Sequence, residues 1–164
     1  MAVLLAAGVD LIIKRAWYEN TDFWSPANFR RFLLPIVRAD AEQAHEAGAR
    51  FGYIISSRAM ALLEMLVEAG VDVLIGVDPD EWDLVETKRR LAGRVSLWGG
   101  VSGHRAVEQG SPEEVRGQVR RALDSLGPDR FILSPVDNVR EDTPLAWDNV
   151  RALIGEWRRV IGRQ

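Results

Sequence analysis

The stretch from Arg130 to Pro144, RFILSPVDNVREDTP, runs an apolar segment into Ser134-Pro135. It then sets an acid and an amide, Asp137 and Asn138, side by side. An aspartate so placed can accept a hydrogen bond from a substrate N–H or exchange a proton with it. The same pair also makes the local backbone bonds of ordinary turns. Four other apolar runs end in comparable chemistry. The first is followed by Lys14, Arg15, Trp17, Tyr18, Glu19 and Asn20, and the second by Ser56, Ser57 and Arg58. Asp78, Asp80 and Glu81 follow the third; Trp98, Gly99, Gly100, Ser102 and His104 follow the fourth. Lys14 in a cleft would partner a phosphate or carboxylate. Trp17 and Tyr18 can wall an apolar pocket or fill core. Asp78 reads as a helix N-cap or a ligand contact. His104 reads as a proton-transfer group or a solvated loop side chain. His45, near a helix C-terminus, is read as structural.

Much chemistry is excluded. The chain of 164 residues has no cysteine, which removes disulfides, thiolate nucleophiles and cysteine-based zinc sites. Its two histidines lie far apart, and neither has a second histidine at i+3 or i+4, so no metal and no cofactor is expected. No dinucleotide fingerprint, P-loop or nucleophile elbow occurs. A net charge of −3 gives no basic field for nucleic acid or an anionic membrane. The apolar start MAVLLAAGVD is shorter than the roughly 20 residues of a membrane span and lacks the basic flank of a secretory signal. A cytoplasmic protein with no membrane partner is expected.

The elements that must position these residues repeat. LLAAGVDLIIK, AHEAGARFGYIIS and LVEAGVDVLIG each run apolar residues through Ala-Gly into a β-branched run. Gly8, Gly48 and Gly70 stand where a helix ends, and the strands that follow are continuously apolar, as strands buried on both faces are. RVSLWGG and RFILSP add two more. Between them the period is helical: Ser25-Pro26 and Ser111-Pro112 open helices, and others fit Arg58 to Glu68, Glu81 to Ala92 and Leu145 to Ile161. Five parallel strands alternating with helices make an α/β fold. Before Gly8 there is room for only about two helical turns. Residues 1–164 are therefore read either as a compact doubly wound domain or as the last five units of a partial (β/α)8 TIM barrel. A response-regulator arrangement is set aside: it would want acids after the first strand and a lysine after the fifth.

Laid out in order, these segments resemble the C-terminal part of the uroporphyrinogen decarboxylase superfamily. FWSPANFRRFLLPIVRAD resembles the family's sP-x-x-F-x-x-F-x-x-P helix, and LVEAGVDVLIGVDPD its l-x-e-a-G-x-d-v-l-x-x-D segment. GSPEEVRGQVRRALDSLGPDRFIL is similar to its G-t-p-e-e-v helix and f-I-l strand, and TPLAWDNV to its closing tP-x-x-N-v helix. The resemblance implies a (β/α)8 barrel whose first three units and N-terminal catalytic residues are absent. It also implies metal-independent decarboxylation of a tetrapyrrole or related carboxylate. Where decarboxylases carry the histidine of a G-H-G after the last strand, this chain has Asp137. Related corrinoid methyltransferases bind zinc through H-x-C and a later cysteine; the matching residues are Ile54, Ser56 and Asp137. A zinc-less methyltransferase relative is thus one alternative. A non-catalytic module that pairs its open barrel edges, dimerising to cover them, is another. The expected site is Asp137 and His104 for proton transfer, with Lys14, Trp17, Glu19, Asn20, Ser57, Asp78 and Asn138 around the substrate. A small carboxylate or tetrapyrrole-like substrate and a second copy of the chain are the expected partners.

Overall fold

The computed structural model describes residues 1–55, 57–91 and 93–162. A short helix α1 (Ala2–Ala6) leads through Gly8 into β1 (Leu11–Arg15). Ser25 caps α2 (Pro26–Asn28) by accepting from the Asn28 N–H. A π-helical turn (Phe29–Leu33) and α3 (Leu34–Glu46) continue the same rod. Then come β2 (Arg50–Ile54), α4 (Leu63–Glu68), β3 (Val73–Val77), α5 (Leu84–Leu91) and β4 (Ser96–Ser102). A second π-helical turn (Gly103–Glu108), α6 (Pro112–Leu126), β5 (Phe131–Val136) and α7 (Pro144–Ile161) complete the chain. Ser111 and Glu114 form a reciprocal capping box at the start of α6, as their spacing predicts.

All four pairings are parallel, and the strand order is β1-β2-β3-β4-β5 with no reversal. A doubly wound sheet would reverse at a switch point. Sequential order with right-handed crossovers puts every helix on one face, so the sheet is an arc of a (β/α)8 barrel. On the helix-covered face Ile12, Phe51, Tyr53, Leu74 and Leu97 are buried, packed with Phe29, Val37, Ala41, Leu63 and Leu66 from the helices. A second core of Val101, Val107, Val115, Val119 and Ala152 ties β4 to α6 and α7. Among the described residues no layer covers the opposite face: Ile13 is 42% exposed and Ile132 45%.

Three expectations need correction. Helix α4 starts at Leu63, five residues after Arg58, because Arg58 takes a positive φ of 31° and residues 60–62 only turn. Helix α5 starts at Leu84, and Asp83 accepts from the Glu86 N–H there; Asp78 instead accepts from the Asp80 N–H, an Asx turn. Strand β5 does not stop at Ser134-Pro135 but pairs with β4 through Val136. Pro135 is tolerated because β5 is an edge strand, where its missing N–H costs no ladder bond.

Candidate functional site

The C-terminal ends of the five strands form one rim, and those ends and the loops leaving them carry the polar residues expected at the site. Strand β4 sets the geometry. Gly99 and Gly100 both have positive φ (146° and 95°) and lie within the strand rather than after it. A Cβ on Gly99 would stand 2.7 Å from the Val77 carbonyl oxygen, and one on Gly100 would stand 2.8 Å from the Ala122 Cβ. These close approaches let β4 follow the irregularity in β3 between Ile75 and Val77 while α6 packs tightly on it. The Gln118 side chain accepts from the Ser102 N–H at 2.7 Å, and the Ser102 hydroxyl accepts from the Arg105 N–H. The chain therefore turns at once into Gly103–Glu108, which carries His104.

That turn is held from behind by Asn149 of α7. Its side-chain amide is fully buried and donates to the carbonyls of Ala106, Val107 and Gly110 at 3.3, 3.0 and 2.7 Å. On the turn, His104 Nδ1 lies 2.8 Å from Glu108 Oε2, a carboxylate only 1% exposed. The backbone N–H of Arg140 donates to the other Glu108 oxygen, and the Arg140 guanidinium lies 3.5 Å from Oε2. These donors, the Arg140 N–H foremost and then His104, hold the Glu108 carboxyl down at about 2.

Trp17, His104, Asp137, Asn138 and Arg140 line one open cavity of about 470 Å³. Asp137 is exposed and takes a left-handed φ of 62°, a conformation that aspartate visits more readily than most residues. Asp78 lies within reach of its charge. Burial pushes the Asp78 carboxyl up; the Asp80 N–H opposes this, and the negative charges of Asp80, Asp137 and Glu81 add to it. Arg15 stacks its guanidinium on Trp17, 4.0 Å from the ring centre. The neighbouring rim cations are ion-paired: Lys14 with Asp40, Arg58 with Asp22, Arg105 with Asp80, Arg140 with Glu108. Arg15 makes no ion pair among the described residues.

Of the residues singled out from the sequence, Trp17, His104, Asp137 and Asn138 come together, and Asp78 lies within reach of the Asp137 charge. Asn20 and Ser57 meet each other instead. Asn20 is 2% exposed and donates to Ser57 Oγ at 2.6 Å and to the Trp17 carbonyl at 3.2 Å, so the pair fixes the loop under Trp17. Lys14 and Glu19 turn away from the open face. Lys14 shares its strand face with Ile12 and reaches Asp40 of α3 at 3.1 Å. Glu19 accepts from the buried Tyr53 hydroxyl and lies 3.8 Å from Lys14. Burial first, and then the Glu19 contact, push the Tyr53 phenol above its ordinary range. Ser56 lies outside the described residues; Ile54 is half-buried. Among the described residues no three histidine, aspartate or glutamate side chains gather as a metal site would require, and no helix is long and apolar enough to cross a membrane. Glu108, Arg15, Arg140 and Asn149 were not in the expected set. Glu108 stands four residues after His104, but that spacing carries meaning only once residues 103–108 are known to be helical.

Comparison with known proteins agrees with this architecture. No curated protein matches the chain. Among solved structures, a methyltransferase from Methanosarcina mazei superposes with a TM-score of 0.79 at 23% identity, over 96% of this chain and 44% of that one. A B12-independent methionine synthase from Shewanella sp. W3-18-1 gives 0.70 at 12% identity, over 98% and 50%. Dihydropteroate synthase from Anaplasma phagocytophilum gives 0.62 at 19%, over 97% and 67%. The chain thus spans about half the length of the first two. The family model described as uroporphyrinogen decarboxylase (URO-D) matches residues 1–160, and the chain belongs to that family.

Proposed function

We propose that this chain is the C-terminal part of a uroporphyrinogen decarboxylase-like barrel and supplies one side of a metal-independent decarboxylation site for a tetrapyrrole or related carboxylate. The observation that carries this reading is the rim cavity, where His104, Asp137, Asn138 and Arg140 converge from two successive βα loops onto Trp17 from a third. Loss of CO2 leaves an electron pair on the substrate carbon, and a proton must be delivered to it. Asp78 keeps its proton to higher pH than a free carboxylate, which suits a donor; Asp137 opens onto the cavity as the acceptor for a pyrrole-type N–H. Arg15, spread on Trp17 and in no ion pair among the described residues, suits the carboxylate arms of such a substrate. Three further βα units would close the cylinder and supply the other side. The test is CO2 release from a tetrapyrrole bearing acetate arms by the completed barrel, with Asp137→Ala as the variant. Turnover that falls at least tenfold in the variant supports the assignment; unchanged kinetics remove Asp137 from the site. Methyl transfer in place of CO2 release would favour the methyltransferase relative.

A second reading, an assembly module, is favoured by the open edges. Strands β1 and β5 each have one unpaired side, and Ile13 and Ile132 stand half-exposed on the uncovered face. Parallel edges of this kind pair with other chains unless blocked. Light scattering of the isolated chain distinguishes a self-paired dimer from a monomer awaiting its missing units.

A further inference from the structure

We propose that Glu108 is a positioning residue that fixes His104 as the Nδ1–H tautomer and so presents the bare Nε2 lone pair as the proton acceptor of the rim. The inference rests on the proton-transfer role given to His104 above, but its test does not. A carboxylate oxygen 2.8 Å from Nδ1 is attractive only if that nitrogen carries a proton; against a lone pair it would be repulsive. The Arg140 guanidinium is also near, 3.3 Å from Nδ1, but it is the longer contact and its charge is directed to the same carboxylate. Nε2 faces the Gln109 side-chain nitrogen at 3.3 Å, a donor that suits a lone pair. Glu108 and Gln109 therefore agree on one tautomer, and the Arg140 contact, which alone would favour a lone pair on Nδ1, is the longer one. The Gln109 amide is exposed, so a substrate N–H or O–H can take its place at Nε2. The proton would pass from that group to Nε2, giving an imidazolium whose charge the Glu108 carboxylate meets at the far nitrogen; the substrate keeps the electron pair of the broken bond. Glu108 is itself held by the Arg140 backbone N–H, so the loop after β5 sets the state of the histidine on the loop after β4.

The chain carries its own reference. His45, the other histidine, places Nε2 rather than Nδ1 2.7 Å from the Asp72 carboxylate, so the two rings should show opposite tautomers. Long-range proton–nitrogen NMR on the 15N-labelled chain, at a pH above the ordinary imidazole range, reads both directly. The expected result is Nδ1–H for His104 and Nε2–H for His45, with Glu108→Gln moving His104 toward the Nε2–H form and leaving His45 unchanged. A wild-type His104 in the Nε2–H form overturns the proposal without any variant. A folded Glu108→Gln protein that keeps the Nδ1–H form overturns it too. Neither result depends on turnover, so the proposal can fail while the decarboxylase reading stands, and the reverse.

Discussion

Replacing Asn149 by alanine should loosen the turn that carries His104, and the loss can be sized from the contacts. The side chain is fully buried, and its NH2 group is the donor shared by three carbonyls, the closest at 2.7 Å. Alanine removes the donor: the Ala106 carbonyl keeps the Gly110 N–H, but the carbonyl of the buried Val107 loses this partner, at a cost of about 1–3 kcal/mol for a buried group left unmade. The volume lost beyond Cβ adds to this. One term offsets part of it: Asn149 Oδ1 is buried without a partner among the described residues, and alanine relieves that desolvation. A net loss of about 2 kcal/mol follows, which for a domain of this size lowers Tm by roughly 4–8 °C. Urea unfolding followed by circular dichroism measures it, with an unchanged m-value showing that only the native state was weakened. Asn149→Asp keeps the shape but turns acceptors toward the carbonyls, so it should cost more than alanine. A loss under about 0.5 kcal/mol for Asn149→Ala, the scale of an ordinary surface change, would refute the idea that this amide organises the rim.

Gly103→Ala should unfold the same turn by another route, because the new Cβ would lie 2.2 Å from the Val136 carbonyl oxygen; a loss of about 2 kcal/mol or more is expected in the same unfolding assay. The Glu108 carboxyl, held down to about 2 by the Arg140 N–H and His104, and the Glu156 carboxyl, held down to about 2 by Arg159 and then Arg120, are both depressed in the folded chain. Their stabilisation is fully present above the ordinary glutamate range and drains away as pH falls from about 4.5 toward about 2; Glu156→Gln should flatten that acid limb in unfolding curves taken across it. Asp78 has the opposite sign, since burial raises its carboxyl: Asp78→Asn should raise stability at neutral pH, with the gain disappearing in acid where the wild-type group is already protonated. Arg15→Gln should weaken binding of a polycarboxylate tetrapyrrole by roughly tenfold or more, the scale of one lost charge-assisted hydrogen bond, with little change in thermal stability.

The alternation of strands and helices was readable because the helices before the first three strands end at a glycine that does adopt positive φ: Gly8, Gly48 and Gly70 stand at 77°, 79° and 91°. The caps at Ser25 and Ser111 were readable for a similar reason, since proline at the next position leaves few alternatives. The directions of Lys14 and Glu19 were not. Strand parity puts Lys14 on the face of Ile12, but which face meets helices depends on long-range packing around Tyr53, and the charge alone suggested a mouth. The rim turn was hidden more deeply. Residues 103–108 have no helical periodicity of their own; Ser102 at one end and Asn149, some 40 residues further on, hold them in shape. The His104–Glu108 pair follows from that tertiary support and not from local propensity. Asp83 displaced Asp78 as the α5 cap because Asp78 is already engaged with the Asp80 N–H.

The most direct measurement is release of labelled CO2 from a tetrapyrrole carrying labelled acetate carboxyls, taken with the chain alone and with three further βα units closing its sheet. Turnover is expected only from the closed form and is expected to collapse with Asp137→Ala. Full turnover with Asp137→Ala, or none from a closed and folded barrel, would contradict the assignment of this rim to decarboxylation.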